Sequence, residues 1–329
     1  METTLVTGAT GLIGYNIVDT LIKRGRKVRV LLRSIEKGKL LLPNECEFVQ
    51  GDITDKASLE KAVKGCSVIY HSAGFPEQWM RDPNIFQEVN VQGTKNIAEI
   101  ALQEKVKSFI YTSTIDVFQG ESLKEYDESI IDPEPKGTYY ERSKQQADQI
   151  VVEVMKKGLP AIFIHPSAVY GPGPASLTSP GINHMIQDLC RGKLPALLPG
   201  GFPVVYAPDV GLGHVLAEEK AAIGERYILS ESYQTLEEVA QTTLGHYDNR
   251  KRTPMVVPLA AAKCVSFLGE KLATLTNRPP LIPKGQLHFL QWNAYPQSKK
   301  AQQELDWSPL PFKEGIKNTI DFLKEMNQN

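Results

Sequence analysis

Three glycines fall at every third position in the stretch TGATGLIG: Gly8, Gly11 and Gly14. TTLV before them is a short β-branched and apolar run that reads as a buried strand. LIGYNIVDTLIKRG after them places Leu12, Ile13, Ile17, Val18, Leu21 and Ile22 at helical spacing, with Gly25 as a left-handed stop. A second strand-like run, KVRVLLR, follows. Strand, glycine turn, helix and strand within about thirty residues form a setting that binds the pyrophosphate of a dinucleotide. Gly8 allows the tight turn, Gly11 lets the phosphates approach the backbone, and Gly14 lets the helix lie close on the sheet. The N–H groups around Thr10, Gly11, Leu12 and Ile13 and the helix dipole then favour the anion.

The elements that must position such a site are legible down the first half of the chain. CEFVQGD, SVIYHSAG, VKSFIYTST and PAIFIHPSAVYG read as strands, separated by the helical runs KASLEKAVKG, NIFQEVNVQGTKNIAEIALQE and TYYERSKQQADQIVVEVMKKG. This alternation predicts an α/β fold, a Rossmann-type doubly wound parallel sheet. From Gly171 the texture changes to Pro/Gly-rich loops, so a smaller C-terminal substrate-binding lobe is expected. The expected division is residues 1–170 for the dinucleotide domain, with the sheet completed by about 203–230, and 171–202 with 231–329 for the lobe. Thr235 and Glu238 have the spacing of a capping box, and the tail puts Ile316, Ile320 and Leu323 on one helix face.

With 329 residues, 41% hydrophobic and 23% charged, the chain is ordinary for a globular enzyme. A net charge of -1 gives no general attraction to nucleic acid or to an anionic membrane. Cys46, Cys66, Cys190 and Cys264 are scattered and read as reduced residues of a cytoplasmic protein. VVPLAAAKCVSFLG is too short to span a bilayer. No signal peptide, metal-ligand spacing, GxSxG elbow or phosphate-binding GKS/T loop is found, so no metal is expected and hydrolase and kinase readings fall away.

Over essentially its full length the sequence resembles the extended short-chain dehydrogenase/reductases. TGATGLIG matches their TGxxGxxG fingerprint, and GDITD, HSAG, NVQGT, HPSAVYGPG and ELDWSPLPFKEGI match further segments. FIYTSTIDVF and the layout are most similar to the branch of dihydroflavonol 4-reductases and steroid dehydrogenases. The resemblance implies a catalytic Tyr-x-x-x-Lys pair, and three pairs have that spacing: Tyr140/Lys144, Tyr247/Lys251 and Tyr295/Lys299. Tyr295 precedes Pro296, which forces an extended step, and Tyr247 leads into the loop-like DNRKR. Tyr140 begins a long helical run with Lys144 one turn on, and it follows the fifth strand, the family's order. Tyr139 has Ser143 at the fourth position. Tyr140/Lys144 is the expected pair.

A free phenol has a pKa near 10, too high for efficient proton exchange at neutral pH. A lysine ammonium one turn away, helped by an oxidised nicotinamide, is expected to lower it. Tyr140 would protonate a carbonyl oxygen as the carbonyl carbon receives hydride, and Lys144 would also hold the nicotinamide ribose. The resemblance places the polarising hydroxyl on Thr114, with Ser113 as runner-up.

At the end of the second strand, where a carboxylate would select NAD, the chain has Arg33 with Lys37 nearby; NADP is therefore expected over NAD. By resemblance Asp52 and Ile53 flank the adenine, Ser72, Ala73 and Gly74 pass beneath the pyrophosphate and ribose, and Pro166 and Val169 border the nicotinamide. Gln78, Trp79 and Met80 are expected over the mouth of the site. His165 stands where sugar-nucleotide epimerases usually carry arginine. The expectation is an NADPH-dependent reductase of a small-molecule carbonyl, monomer or homodimer. The rivals are a sugar-nucleotide epimerase or dehydratase and a non-catalytic NADP(H) sensor, against which the intact Tyr140/Lys144 pair argues.

Overall fold

The computed structural model describes residues 2–77, 79–174, 181–248, 252–276 and 278–326. The chain opens with β1 (Thr3–Thr7), α1 (Leu12–Lys23), β2 (Lys27–Leu32), α2 (Ile35–Leu41), β3 (Glu47–Gln50), α3 (Lys56–Val63) and β4 (Cys66–His71). A π-helical turn, Gln87–Gly93, runs into α4 (Thr94–Gln103), and β5 (Ser108–Thr112) follows. Next come the 3-10 turn Ile115–Val117, α5 (Tyr139–Met155), β6 (Ala161–Pro166) and β7 (Ala168–Tyr170). Then come, apart from two-residue bridge strands, α6 (Ile182–Arg191), β8 (Gly201–Tyr206), α7 (Ala207–Lys220), β9 (Arg226–Leu229), β10 (Ser232–Thr235), α8 (Leu236–Tyr247), α9 (Leu259–Thr276), α10 (Lys284–Gln291), α11 (Lys299–Leu305) and α12 (Phe312–Met326).

Seven strands form one sheet in the order β9-β6-β5-β4-β1-β2-β3, and every pairing in it is parallel. All five residues of β1 are buried, as a central strand covered on both faces requires. Alternation decides which core each side chain joins. Val6 packs with Ile17, Val18, Val30, Tyr70, Ile110 and Trp307 under α1 and α7. Leu5 packs with Ile69, Phe109, Tyr111, Phe163, Ile97 and Val151 under α3, α4 and α5. Strand order reverses between β1 and β4, so the crevice beyond their carboxyl ends is the place for a ligand.

In the segment of about 203–230 expected to complete the sheet, β9 pairs with β6 at the sheet edge, with Arg226 opposite Phe163. β8 goes elsewhere, between β7 and β10 in a separate three-stranded sheet. That small sheet and α6, α8 and α12 bury a core of their own, including Ile186, Phe202, Val204, Leu244, Ile316, Ile320 and Leu323. The capping box at Thr235 and Glu238 is formed. Tyr247 is the last residue of α8, whose buried apolar stripe extends to Leu244.

Candidate active site

Gly8 sits at the carboxyl end of β1 with φ +70, and a Cβ there would lie 2.6 Å from the backbone nitrogen of Ala73. The Gly11 N–H closes the turn on the Gly8 carbonyl at 2.9 Å. At Gly14 a Cβ would lie 2.3 Å from the Gly8 carbonyl oxygen, so only glycine lets α1 start this close to the strand. Gly11 itself is exposed, and α1 begins with no side-chain cap and no acidic residue in its first turn. Free N–H groups at Leu12 and Ile13, with Thr10 beside them, leave a helix start that an anion can cap. These residues fit a dinucleotide pyrophosphate. On the facing strand Ser72 Oγ donates to the Thr7 carbonyl at 2.7 Å, fixing Ser72, Ala73 and Gly74 against the turn.

Arg33 is exposed immediately after β2 and makes no ion pair among the described residues. Glu36, its nearest acid in sequence, accepts a hydrogen bond from Ser34, which caps α2. Asp52 accepts from the N–H and hydroxyl of Thr54 at 2.9 and 2.8 Å. Ile53 is buried, and its carbonyl accepts from Asn96. Pro166 closes β6, and Val169 lies half-buried in β7. Trp79 is half-buried and Met80 exposed, while Gln78 lies outside the described residues.

Thr138 and Glu141 form a capping box that fixes where α5 starts. The start angle separates two adjacent phenols. Tyr139 is 58% exposed, with its ring beside Phe86 and the Arg142 guanidinium, whereas Tyr140 turns inward to the Thr114 hydroxyl. Thr114 follows β5, and Lys144, buried one turn along α5, donates from Nζ to the Thr112 carbonyl at 2.9 Å. Tyr140, Thr114 and Lys144 thus meet at the carboxyl end of β5. Ser113 points away and donates to Asp148 at 2.9 Å. Of the two decoy tyrosines, Tyr247 lies beneath the Lys324 ammonium, with Lys251 outside the described residues, and Tyr295 is in a bridge strand with its ring against Tyr233.

In the protein alone, burial, then the Asp116 charge, raise the Tyr140 pKa, and only the bond to Thr114 opposes them; the expected lowering calls on the charge of a bound oxidised nicotinamide as well. Lys144 spends a proton on the Thr112 carbonyl, and its burial pulls its own pKa down to about 8 against the pull of Asp148 and Asp116. The phenol therefore keeps its proton at neutral pH.

A model of the NAD dependent epimerase/dehydratase family matches residues 4–229. The chain belongs to that family. Over 329 residues it is 28% identical to "Sterol demethylase protein B" of Methylococcus capsulatus, covering 98% of each chain. It is 28% identical to a "Putative dihydroflavonol 4-reductase" of Synechocystis, over 97% of this chain and 94% of that one. The crystal structure of gox2253 superposes with a TM-score of 0.83 at 28% identity, over 99% of this chain and 98% of that one.

Within this epimerase/dehydratase fold, the sequence did not reveal what holds Thr114 in place. Asp148 of α5, almost fully buried, takes Ser113 and a two-pronged ion pair from Arg226 of β9, at 2.8 and 3.0 Å. His165 bonds the Thr114 carbonyl through Nδ1 at 3.0 Å and meets Arg226 through Nε2 at 3.2 Å. His165 is fully buried and supports the threonine loop from behind. Asn90, in the π-helical turn, ties Ser143 of α5 to the Phe75 backbone. Asp116 is a further buried acid, 2.8 Å from the Thr114 hydroxyl.

Proposed function

We propose that the chain is an NADPH-dependent oxidoreductase that reduces an apolar ketone or aldehyde to an alcohol, with Tyr140 as proton donor. The observation that carries this reading is the meeting of Tyr140, Thr114 and Lys144 beyond β5, beside the glycine turn. Gly8, Gly11, Gly14 and the start of α1 would hold the pyrophosphate of the dinucleotide, and Arg33 would meet a 2′-phosphate. When bound, the nicotinamide supplies the hydride. Tyr140 holds the proton that goes to the carbonyl oxygen, Thr114 fixes that oxygen by hydrogen bonding, and Lys144 presents the positive charge that steadies the phenolate left behind. The apolar substrate class draws on the relatives' names, which include a sterol demethylase protein, a putative dihydroflavonol 4-reductase and a farnesyl-quinoline-oxide ketoreductase of Stigmatella aurantiaca, 27% identical over 82% of this chain and 80% of that one.

The test is NADPH consumption over flavonoid, steroid and aryl ketones, with Tyr140→Phe as control. Turnover of at least one ketone that the variant loses is the expected result. Protein that carries tightly bound NAD and consumes no NADPH with any ketone would overturn the reading in favour of a sugar-nucleotide epimerase.

A further inference from the structure

Asp116 is a buried acid to which the proposed reduction gives no task. It lies in the 3-10 turn two residues after Thr114 and is 4% exposed. Oδ2 stands 2.8 Å from Thr114 Oγ1, and the Asp116 N–H donates to the same oxygen at 3.3 Å. Oδ1 is buried with no hydrogen-bond partner. Ionisable groups face this acid from each element around it. Tyr140, Glu141 and Lys144 come from α5, Lys136 from the segment before it, and Tyr126 from the strand Glu125–Tyr126. His165 of β6 stands behind the Thr114 carbonyl, with Arg226 of β9 beyond it.

A threonine hydroxyl has one hydrogen to give. An ionised carboxylate only accepts, so an ionised Asp116 takes that hydrogen and leaves Thr114 nothing to offer a carbonyl oxygen. A neutral Asp116 donates its own O–H to Thr114 Oγ1, and the threonine hydrogen is then free for the substrate. We propose that Asp116 is a positioning residue whose protonation turns the Thr114 hydroxyl towards the substrate carbonyl and whose ionisation turns it away. The inference rests on the reductase reading above. Burial, then the charge of Glu141, hold the Asp116 carboxyl up at about 7, against Thr114, Lys136 and Lys144. Both states are therefore populated near neutrality.

Asp116→Asn keeps an N–H donor available to Thr114 at every pH. For a ketone found by the NADPH screen, wild-type kcat/KM for reduction should fall about tenfold per pH unit above neutrality. D116N should stay flat over that range, with NADPH binding retained as the check on folding. Lys144 remains in D116N but loses the upward pull of Asp116, so a decline that survives the substitution, at the same or a lower pH, reports the lysine and overturns the proposal. A second measurement needs no turnover. The unliganded wild-type protein should show the infrared C=O stretch of a buried carboxylic acid that titrates near neutral pH, vanishes in D116N and shifts in Thr114→Val. A missing band, or one insensitive to Thr114→Val, overturns the proposal even if D116N fails to fold. If no ketone is reduced, the reductase reading fails on its own and the infrared titration still decides whether Asp116 and Thr114 are coupled.

Discussion

Tyr139 and Tyr140 are neighbours in one helix, yet a rotation of about 100° per residue gives one to solvent and the other to Thr114. Removing the inward oxygen with Tyr140→Phe should leave NADPH binding nearly intact and lower kcat by roughly 10²–10⁴-fold, the range for loss of a general acid. Tyr247→Phe and Tyr295→Phe should stay near wild type, and Thr114→Ala should fall between. Normal turnover in Tyr140→Phe, with loss in either decoy, would remove Tyr140 from the chemistry. Arg33 governs a separate quantity, because it stands at the end of β2 with its guanidinium in solvent. Arg33→Asp exchanges a charge-assisted phosphate contact for repulsion and should weaken NADPH binding by about 1.5–3 kcal/mol. The ratio of kcat/KM for NADPH and NADH should move towards NADH, and an unchanged ratio would make Arg33 a surface residue only.

Between elements, the joint that matters most to the site is Arg226 on Asp148, where β9, α5 and the end of β5 converge. Arg226→Leu leaves a buried carboxylate uncompensated, a change that costs about 3–5 kcal/mol. Urea unfolding should show that loss, and adding Asp148→Leu should recover much of it. Equal stability of Arg226→Leu and wild type would show the pair to be idle. This joint also marks the limit of sequence reading. Glycine rhythm, strand–helix alternation and the Tyr140/Lys144 spacing are local signals, each set within a few turns of chain, and they were legible. Arg226 and Asp148 are far apart in sequence, and nothing in ERYILS announces a partner; only the pairing of β9 with β6 brings them together. His165 and Asp116 were hidden for another reason. Their types suggest solvent-facing or substrate-facing roles, whereas packing makes both of them internal supports. The fate of β8 was equally unreadable, since an apolar run does not state which of two sheets it will join.

Across the whole molecule, three fully buried histidines tie stability to pH. His71 bridges Thr7 and Thr94, His165 lies between Thr114 and Arg226, and His214 bridges Thr112 and the Val210 carbonyl. Burial is the leading cause in each case, and it lowers the pKa from 6.5 to about 3 for His71 and His165 and to about 4 for His214. Below 6.5 the unfolded chain therefore takes up three protons that the native state refuses, so stability falls as pH falls and levels off only near the native values. Asp116 works in the opposite sense, because its raised carboxyl binds a proton in the native state that the unfolded chain does not yet bind. Glu128 and Asp209, also raised by burial, add to that offset lower down. Three histidines against Asp116 leave a net uptake of about two protons on unfolding between pH about 6.5 and 4.5, on the order of 3 kcal/mol per pH unit. Urea midpoints measured across that range should drop steadily with acid. His214→Gln should retain a partner for Thr112 and reduce the slope by about one proton. A midpoint that is flat or rises on acidification would mean that these histidines are protonated in the native protein, and that the core beneath the site is wetter than the packing allows.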